Sequence, residues 1–430
     1  MKRIALAITL VLASGAEARD FLETYTLAQD NDAQLAAAGA TLEARREVEP
    51  IARSGLLPQV ALSGSATRYN RDVRSIGTDN FNTTNWGVNL SQPLYRRDRW
   101  YQYKQSEDVV QQAESEYRTA EQGLILRVAQ AYFNVLSAQA TMKAADAQLR
   151  ALERQLDQAQ QRYDVGLIAI TDVLEVKSVR DSAISEQIRA KQQFDDANDA
   201  LREIIATDPG KLADVSRKMP LDPPQPNNVE AWESLAFENN PALQAAREAV
   251  EVSEKEVEVQ KSGHYPTVDL VGGYSDTSSD AIGALEPRDT SVGVQLSLPI
   301  YTGGRVSATT RQARHNLTAA EYDLESTRRG LERQVGDAYR GVISSISDVD
   351  ALNAAKISTK SAWDATEAGY EVGTRTIVDV LLTQRNFFQA DRDYAIARYR
   401  YILNLLLLED AVGTLDEEDV RRVNGWLKEN

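Results

Sequence analysis

Thr171 and Asp172, Asp379, and the pair Tyr370 and Arg375 are the side chains whose setting carries the most chemical meaning. They flank two glycine turns, Tyr163-Asp-Val-Gly166 and Tyr370-Glu-Val-Gly373. A carboxylate, a hydroxyl and a guanidinium can exchange hydrogen bonds and set a local field. They do not by themselves make or break covalent bonds. The plainest role for Thr171, Asp172 and Asp379 is N-capping of a helix that restarts after the turn. Tyr163 and Tyr370 read as the last apolar residues of the helices that precede them.

The remaining inventory argues against catalysis. The 430 residues contain no cysteine, which removes disulfides, thiolate metal sites and a thiol nucleophile. His264 and His315 are too few for a typical zinc site and read as surface or structural residues. No nucleophile–base pair, phosphate-binding glycine loop or metal cluster stands out. Neither an enzyme nor a cofactor is expected. Basic residues number 48 against 64 acidic, a net charge of −16, which opposes nucleic-acid binding. A mean hydropathy of −0.42 opposes a helical membrane protein, in which each span needs ~20 apolar residues.

The elements that position these residues come in two copies. Tyr163–Gly166 recurs as Tyr370–Gly373 and Asp172-Val-Leu174 as Asp379-Val-Leu381, both at an offset of 207. Ala131-Tyr132 matches Ala338-Tyr339, and Pro93-Leu94-Tyr95 matches Pro299-Ile300-Tyr301. A repeat of this length must be read before any single element. It divides the chain into a first copy, 19–206, and a second, 229–412. Between them, 207–228 holds five of the twelve prolines and reads as a linker or irregular belt. A C-terminal segment, 413–430, follows. Residues 1–18 carry Lys2 and Arg3, an apolar run and Ala16-Glu-Ala18, the pattern of a secretory signal peptide.

Within each copy two periods alternate. Between prolines 58 and 93, and again between 266 and 299, apolar residues fall on every second position. Trp86, Val88 and Leu90 alternate with Gly87, Asn89 and Ser91; Val292, Val294 and Leu296 alternate with Gly293, Gln295 and Ser297. Four strands in two hairpins are expected, with polar loops near 71–83 and 275–289. One face of each is apolar and the other small and polar. That suits a sandwich facing a core or a barrel facing lipid, and four strands alone do not close a barrel. The aromatics Trp86, Tyr95, Tyr274 and Tyr301 flank these strands, as membrane-interface side chains do. Trp100, Tyr101 and Tyr103 read instead as packing at the strand-to-helix junction.

The tracts 94–206 and 300–412 lack proline and step by 4 and 3. From Leu124 through Val128, Ala131 and Val135 to Tyr163, twelve successive seam positions are apolar or aromatic. The shifted positions from Leu331 to Tyr370 keep the phase. A sustained 3.5-residue repeat means coiled-coil packing. Gly166 and Gly373 lie just past the seams, where a left-handed residue ends one helix before the next returns.

Val165-Gly-Leu-Ile-Ala-Ile-Thr-Asp-Val173 and Tyr370-Glu-Val-Gly-Thr-Arg-Thr-Ile-Val-Asp-Val-Leu381 resemble the tip turns of the TolC family of outer-membrane efflux proteins. So do Ala397-Arg-Tyr-Arg-Tyr-Ile-Leu-Asn404 and Gly413-Thr-Leu-Asp-Glu-Glu-Asp419. The resemblance implies a mainly α fold with a membrane β-barrel: a duplicated coiled-coil α-barrel of long helical hairpins, and four β-strands per chain in a trimeric 12-stranded outer-membrane barrel. It implies a homotrimer in outer-membrane lipid of a Gram-negative bacterium, extending into the periplasm. A periplasmic adaptor and an inner-membrane RND, MFS or ABC transporter would be its partners in multidrug efflux or type I secretion, as a passive export conduit. By the same resemblance Tyr370 and Arg375 link to Thr171 and Asp172 across neighbouring coils and close the tunnel. Asp379 matches an acidic constriction. The family's second acid lies three residues on, where this chain has Leu382, which leaves a partly apolar constriction. Gly166, Leu167, Ile168, Gly373 and Thr374 form the tip surface at which an adaptor would dock. The competing reading is a periplasmic coiled-coil adaptor or structural protein, which would lack the four outward-apolar strands.

Overall fold

The computed structural model describes residues 18–73, 77–216, 219–281 and 284–428. The expected signal segment lies outside them except for Ala18. In chain order the elements are α1 (Phe21–Asn31), α2 (Ala33–Arg46), α3 (Val48–Ser54), β1 (Gln59–Val73), β2 (Gly77–Tyr95), α4 (Arg97–Asp164), α5 (Ile170–Ile205), β3 (Asp214–Val215), α6 (Val229–Asn239), α7 (Pro241–Lys261), β4 (Thr267–Ser279), β5 (Arg288–Ser297), α8 (Arg305–Glu371), α9 (Ile377–Val412), α10 (Glu417–Asn424) and β6 (Leu427–Lys428). Most residues are helical. Two compact units cut across the sequence repeat. One holds residues 38–117 and 241–329; the other holds most of the long helices, the belt and the C-terminal segment.

The first unit contains a four-stranded antiparallel sheet in the order β1-β2-β4-β5. Val60 pairs with Leu90, Leu62 with Val88, Val88 with Tyr274, Leu270 with Val294 and Val268 with Leu296. Directly paired residues share a face, so one side of the sheet is a continuous apolar surface. It is uncovered within the chain: Val60, Leu62, Val292, Val294 and Leu296 are 65–79% exposed. The opposite face carries Ser63, Ser65, Asn85, Asn89, Ser291 and Gln295. Both outer strands, β1 and β5, leave a row of backbone groups unpaired among the described residues.

The strands outrun their apolar alternation. The expected loop at 71–83 is mostly strand, with the pairing Gln59↔Ser91 continuing to Val73↔Gly77. β4 and β5 likewise reach Ser279 and Arg288, into the loop expected at 275–289. Backbone ladders hold these polar ends, where there is no side-chain pattern to read. Pro93 does not end β2; it lies where the register with β4 shifts, a position that tolerates a missing N–H.

At the base of this unit the start of α4 packs on α7. Arg97 pairs with Glu258 at 2.7 Å, and Gln105 donates to the Val252 carbonyl at 3.0 Å. The Arg97 guanidinium also lies over Tyr101 and Tyr265, at 4.8 and 4.6 Å from the ring centroids.

In the other unit Phe21 of α1 packs on Tyr132 and Phe133 of α4, at centroid distances of 5.6 and 5.9 Å. The belt is anchored. The Tyr132 hydroxyl donates to Ala213 O at 2.8 Å, Tyr399 to Asp214 Oδ1 at 2.7 Å and Tyr401 to Asp222 O at 3.0 Å. Buried Arg398 donates to Val215 O at 2.7 Å. β3 pairs with β6, which ties the belt to the C-terminal segment. Arg398, Tyr399 and Tyr401 of Ala397–Asn404 thus hold the belt, and Asn404 holds the neighbouring α8 by donating to Gly341 O at 3.1 Å.

Most of the α4 seam is buried from Leu124 to Ala159, together with Val173, Val176, Ala183 and Ala190 of α5. Tyr163 corrects the expectation that it closes the seam: it is 39% exposed. In α8 the seam is buried at Val335, Val342 and Val349 but only half-buried at Lys356, Thr359 and Thr366. There a polar contact replaces apolar packing, with Lys356 on Asp391 of α9 at 2.6 Å.

Candidate gate at the helical tips

Both tip turns end their helix in the same way. Gly166 has φ 75° and Gly373 φ 80°, the left-handed region in which a side chain is strained. In the first turn Gly166 N donates to Tyr163 O and Leu167 N to Arg162 O, each at 2.8 Å. In the second, Gly373 N donates to Tyr370 O at 3.1 Å and Thr374 N to Gly369 O at 2.9 Å. These are paired Schellman bonds, which satisfy the last carbonyls of α4 and α8.

The helices that leave the turns start differently. At α9 the N-cap is Thr376. Its Oγ1 accepts from Asp379 N at 3.2 Å, while Asp379 Oδ2 accepts from Thr376 N at 3.0 Å and from Thr376 Oγ1 at 2.9 Å. This is a complete capping box. The backbone and hydroxyl hydrogen bonds from Thr376 hold the Asp379 carboxyl below its ordinary pKa. At α5 the N-cap is Ala169, which has no side-chain acceptor. The N-cap reading is therefore corrected for all three residues. Thr171 and Asp172 lie in the first turn of α5 with no capping bond, and Asp379 is the third-residue partner of Thr376. The spacing Thr376-x-x-Asp379 is the sequence signal for the box.

A single apolar cluster brings the two tips together. Leu149, Leu152 and Ala159 of α4, Val173 and Val176 of α5, and Ile377 and Leu381 of α9 are buried in it, with Ile168 and Tyr370 packed against it. Tyr370 is thereby fixed with its ring under the Arg162 guanidinium, 5.1 Å from the centroid. Its hydroxyl is buried without a hydrogen-bond partner among the described residues. Beside it a recess is lined by Gln155, Gln158, Arg162, Glu367, Tyr370 and Glu371. Arg375 is exposed, as are Thr171 and Leu382; Asp172 is half-buried. Within the chain Thr171 and Asp172 do not meet Tyr370 or Arg375 by hydrogen bond or ion pair. Gly166, Leu167, Gly373 and Thr374 are exposed at the turns, whereas Ile168 turns partly inward onto the cluster. Arg162, Gly369 and Thr376 belong to this site and carry no distinguishing motif except the capping box.

Trp86 of β2 and Tyr274 of β4 are diagonal neighbours, with ring centroids 5.2 Å apart. Trp86, Tyr95 and Tyr301 expose about half or more of their surface. Among the described residues no group of carboxylates and histidines could hold a metal ion, and no helix is long and apolar enough to cross a membrane.

The sequence pattern of the "Outer membrane efflux protein" family matches residues 24–207 and 232–414. The outer membrane protein TolC of Vibrio cholerae is 38% identical over 423 residues, covering 97% of this chain and 96% of that protein. The alkaline protease secretion protein AprF of Pseudomonas aeruginosa is 29% identical, covering 97% and 89%. The crystal structure of the Campylobacter jejuni CmeC outer membrane channel superposes with a TM-score of 0.81 at 18% identity, covering 98% of this chain and 95% of that one. With matched segments spanning most of its length in two copies, the chain belongs to the outer membrane efflux protein family.

Proposed function

We propose that the chain is the outer-membrane channel of an efflux or type I secretion system, and that three copies close one 12-stranded barrel. The observation that carries this reading is the sheet. One face is apolar and exposed, and the two edges β1 and β5 are unpaired. Lipid leaves no open edge unsatisfied, so such a sheet needs further strands before it spans a bilayer. With every neighbouring pair antiparallel, β1 and β5 run in opposite directions. The β5 edge of one copy can therefore continue antiparallel onto β1 of the next, and an even strand number results. From Val292 to Leu298 the apolar stretch spans roughly 20 Å at the rise of a strand, close to the lipid-facing band of about 25 Å. Trp86, Tyr95, Tyr274 and Tyr301 then sit at the lipid interface. The copies 19–206 and 229–412, joined by the belt 207–228, would each supply one β-hairpin and one helical hairpin.

In this reading the tips form the periplasmic gate. Among the described residues the side chains of Thr171 and Asp172 and the Arg375 guanidinium have no hydrogen-bond or ion-pair partner. Their natural partners lie on a neighbouring copy. Arg375 suits this link because its planar fork fixes geometry. Asp379, repeated by the threefold axis, makes a ring of three carboxylates that favours cations, with Leu382 one helical turn further along. The exposed turns Gly166–Leu167 and Gly373–Thr374, with Ile168 behind them, are the docking surface for a periplasmic adaptor, which would connect an inner-membrane transporter of the RND, MFS or ABC class. The kinship with a protease secretion protein favours a conduit wide enough for polypeptide as well as small molecules. The test is single-channel recording in planar bilayers. Tyr370→Phe with Arg375→Ser should raise conductance above that of the unsubstituted protein. Equal conductance would remove the gate assignment, while a mass other than three chains in detergent would remove the shared barrel.

A further inference from the structure

Gly369 lies inside α8, four residues before the left-handed Gly373, and its own backbone is helical. Its carbonyl accepts three bonds from the turn that follows: Thr374 N at 2.9 Å, Arg375 N at 3.2 Å and Thr374 Oγ1 at 3.0 Å. The side chain of Arg375 folds back over the same spot. A Cβ built on Gly369 would lie 2.8 Å from Arg375 Cγ, 3.3 Å from Thr374 Oγ1 and 3.5 Å from Arg375 Cβ. The nearest of these is closer than Cβ atoms come to carbon. It belongs to the root of the arginine, not to its flexible end, so it can yield only by changing the Arg375 rotamer or the turn itself. The corresponding residue of the first tip, 207 positions earlier, is Arg162. That tip has Ile168 where the second has Arg375. There Ile168 packs against the apolar cluster, and the bulky residue reaches Tyr370.

We infer that Gly369 is a positioning residue of the gate: it is the seat on which the Arg375 stem lies, and it sets the direction in which the guanidinium leaves the turn. The inference rests on the reading of Arg375 as a gate residue. It opposes what helix propensity alone dictates. Gly→Ala in a helix interior with ordinary φ is stabilising, so a merely structural Gly369 would be improved by the change and the channel left as it was.

The experiment is single-channel conductance of Gly369→Ala, Arg375→Ser and the double variant, with Gly330→Ala as control. Gly330 is another glycine of α8, with nothing within 4 Å of a built Cβ. Gly369→Ala should give at least half the rise in conductance that Arg375→Ser gives. The double variant should match Arg375→Ser alone, and Gly330→Ala should be silent. A rise with Arg375→Ser but none with Gly369→Ala overturns the seat and leaves the gate reading intact. No rise with Arg375→Ser overturns the gate reading itself. If Gly369→Ala does not assemble, adding Arg375→Ala decides the matter. Restored assembly locates the collision at the arginine stem and supports the seat, whereas continued failure overturns it.

Discussion

Thr376 and Ala169 occupy corresponding positions of the two tip turns, and only Thr376 has the hydroxyl that closes a capping box. Replacing a capping threonine by alanine costs about 1 kcal/mol. Thr376→Ala should therefore speed hydrogen exchange of the first-turn amides of α9 while leaving those of α5 unchanged. The reverse change, Ala169→Thr, would place a hydroxyl three residues before Asp172 and should slow exchange at the start of α5. It should also divert the Asp172 carboxylate into the cap; on the proposed gate that removes an acceptor for Arg375 of a neighbouring copy, so conductance should rise. The sign of the acid dependence follows from the same bonds. The folded pKa of Asp379 is depressed, so its contribution to stability is present above the ordinary carboxylate range and is lost as pH falls through the folded value.

At the scale of elements, the end of α9 concentrates buried acid. Burial pushes Glu409 up to about 7, with the nearby Asp419 adding to the rise, and these outweigh the opposing Arg422 guanidinium bonded to it. Burial alone pushes Asp410 up to about 6. Both groups bind protons more tightly folded than unfolded. Between roughly pH 4.5, the unfolded value, and pH 7 the native state holds the extra proton, and stability falls as pH rises. Thermal unfolding of the detergent-solubilised protein should show a midpoint that drops across this window. Glu409→Gln should flatten the drop, because the amide stays neutral throughout. None of this could be read in the sequence, where Glu409 and Asp410 are two acids among 64. The setting of Glu409 depends on α10 folding back, with Arg422 reaching it from thirteen residues away.

At the scale of the whole molecule, the proposed barrel requires one strand to separate lipid from water. Leu296 and Gln295 are neighbours on β5 and point to opposite faces of the sheet. Arginine on the lipid face costs about 2–4 kcal/mol near the bilayer midplane, while the lumen face tolerates charge. Leu296→Arg should reduce the fraction of protein that folds into lipid vesicles. Gln295→Arg should fold normally and lower the preference for cations, read as a shift in reversal potential under a salt gradient. Equal effects from the two substitutions would show that the sheet does not divide lipid from water.

The sequence by itself determined the repeat, the four strands, the long helices and their turns. Two-residue alternation marked the four strands and their apolar face, a 3.5-residue step marked the long helices, and two glycines marked the turns. These signals survive because they act between near neighbours. Tertiary structure alone decided where polar groups find partners. It ended the α4 seam before Tyr163, set Arg162 over Tyr370 and anchored the belt to three tyrosine hydroxyls. It also joined both tips in one apolar cluster. Those contacts link residues more than two hundred positions apart, as Arg162 and Tyr370 are. A hydrogen bond or a stacked cation depends on where the chain returns, and no local period records that.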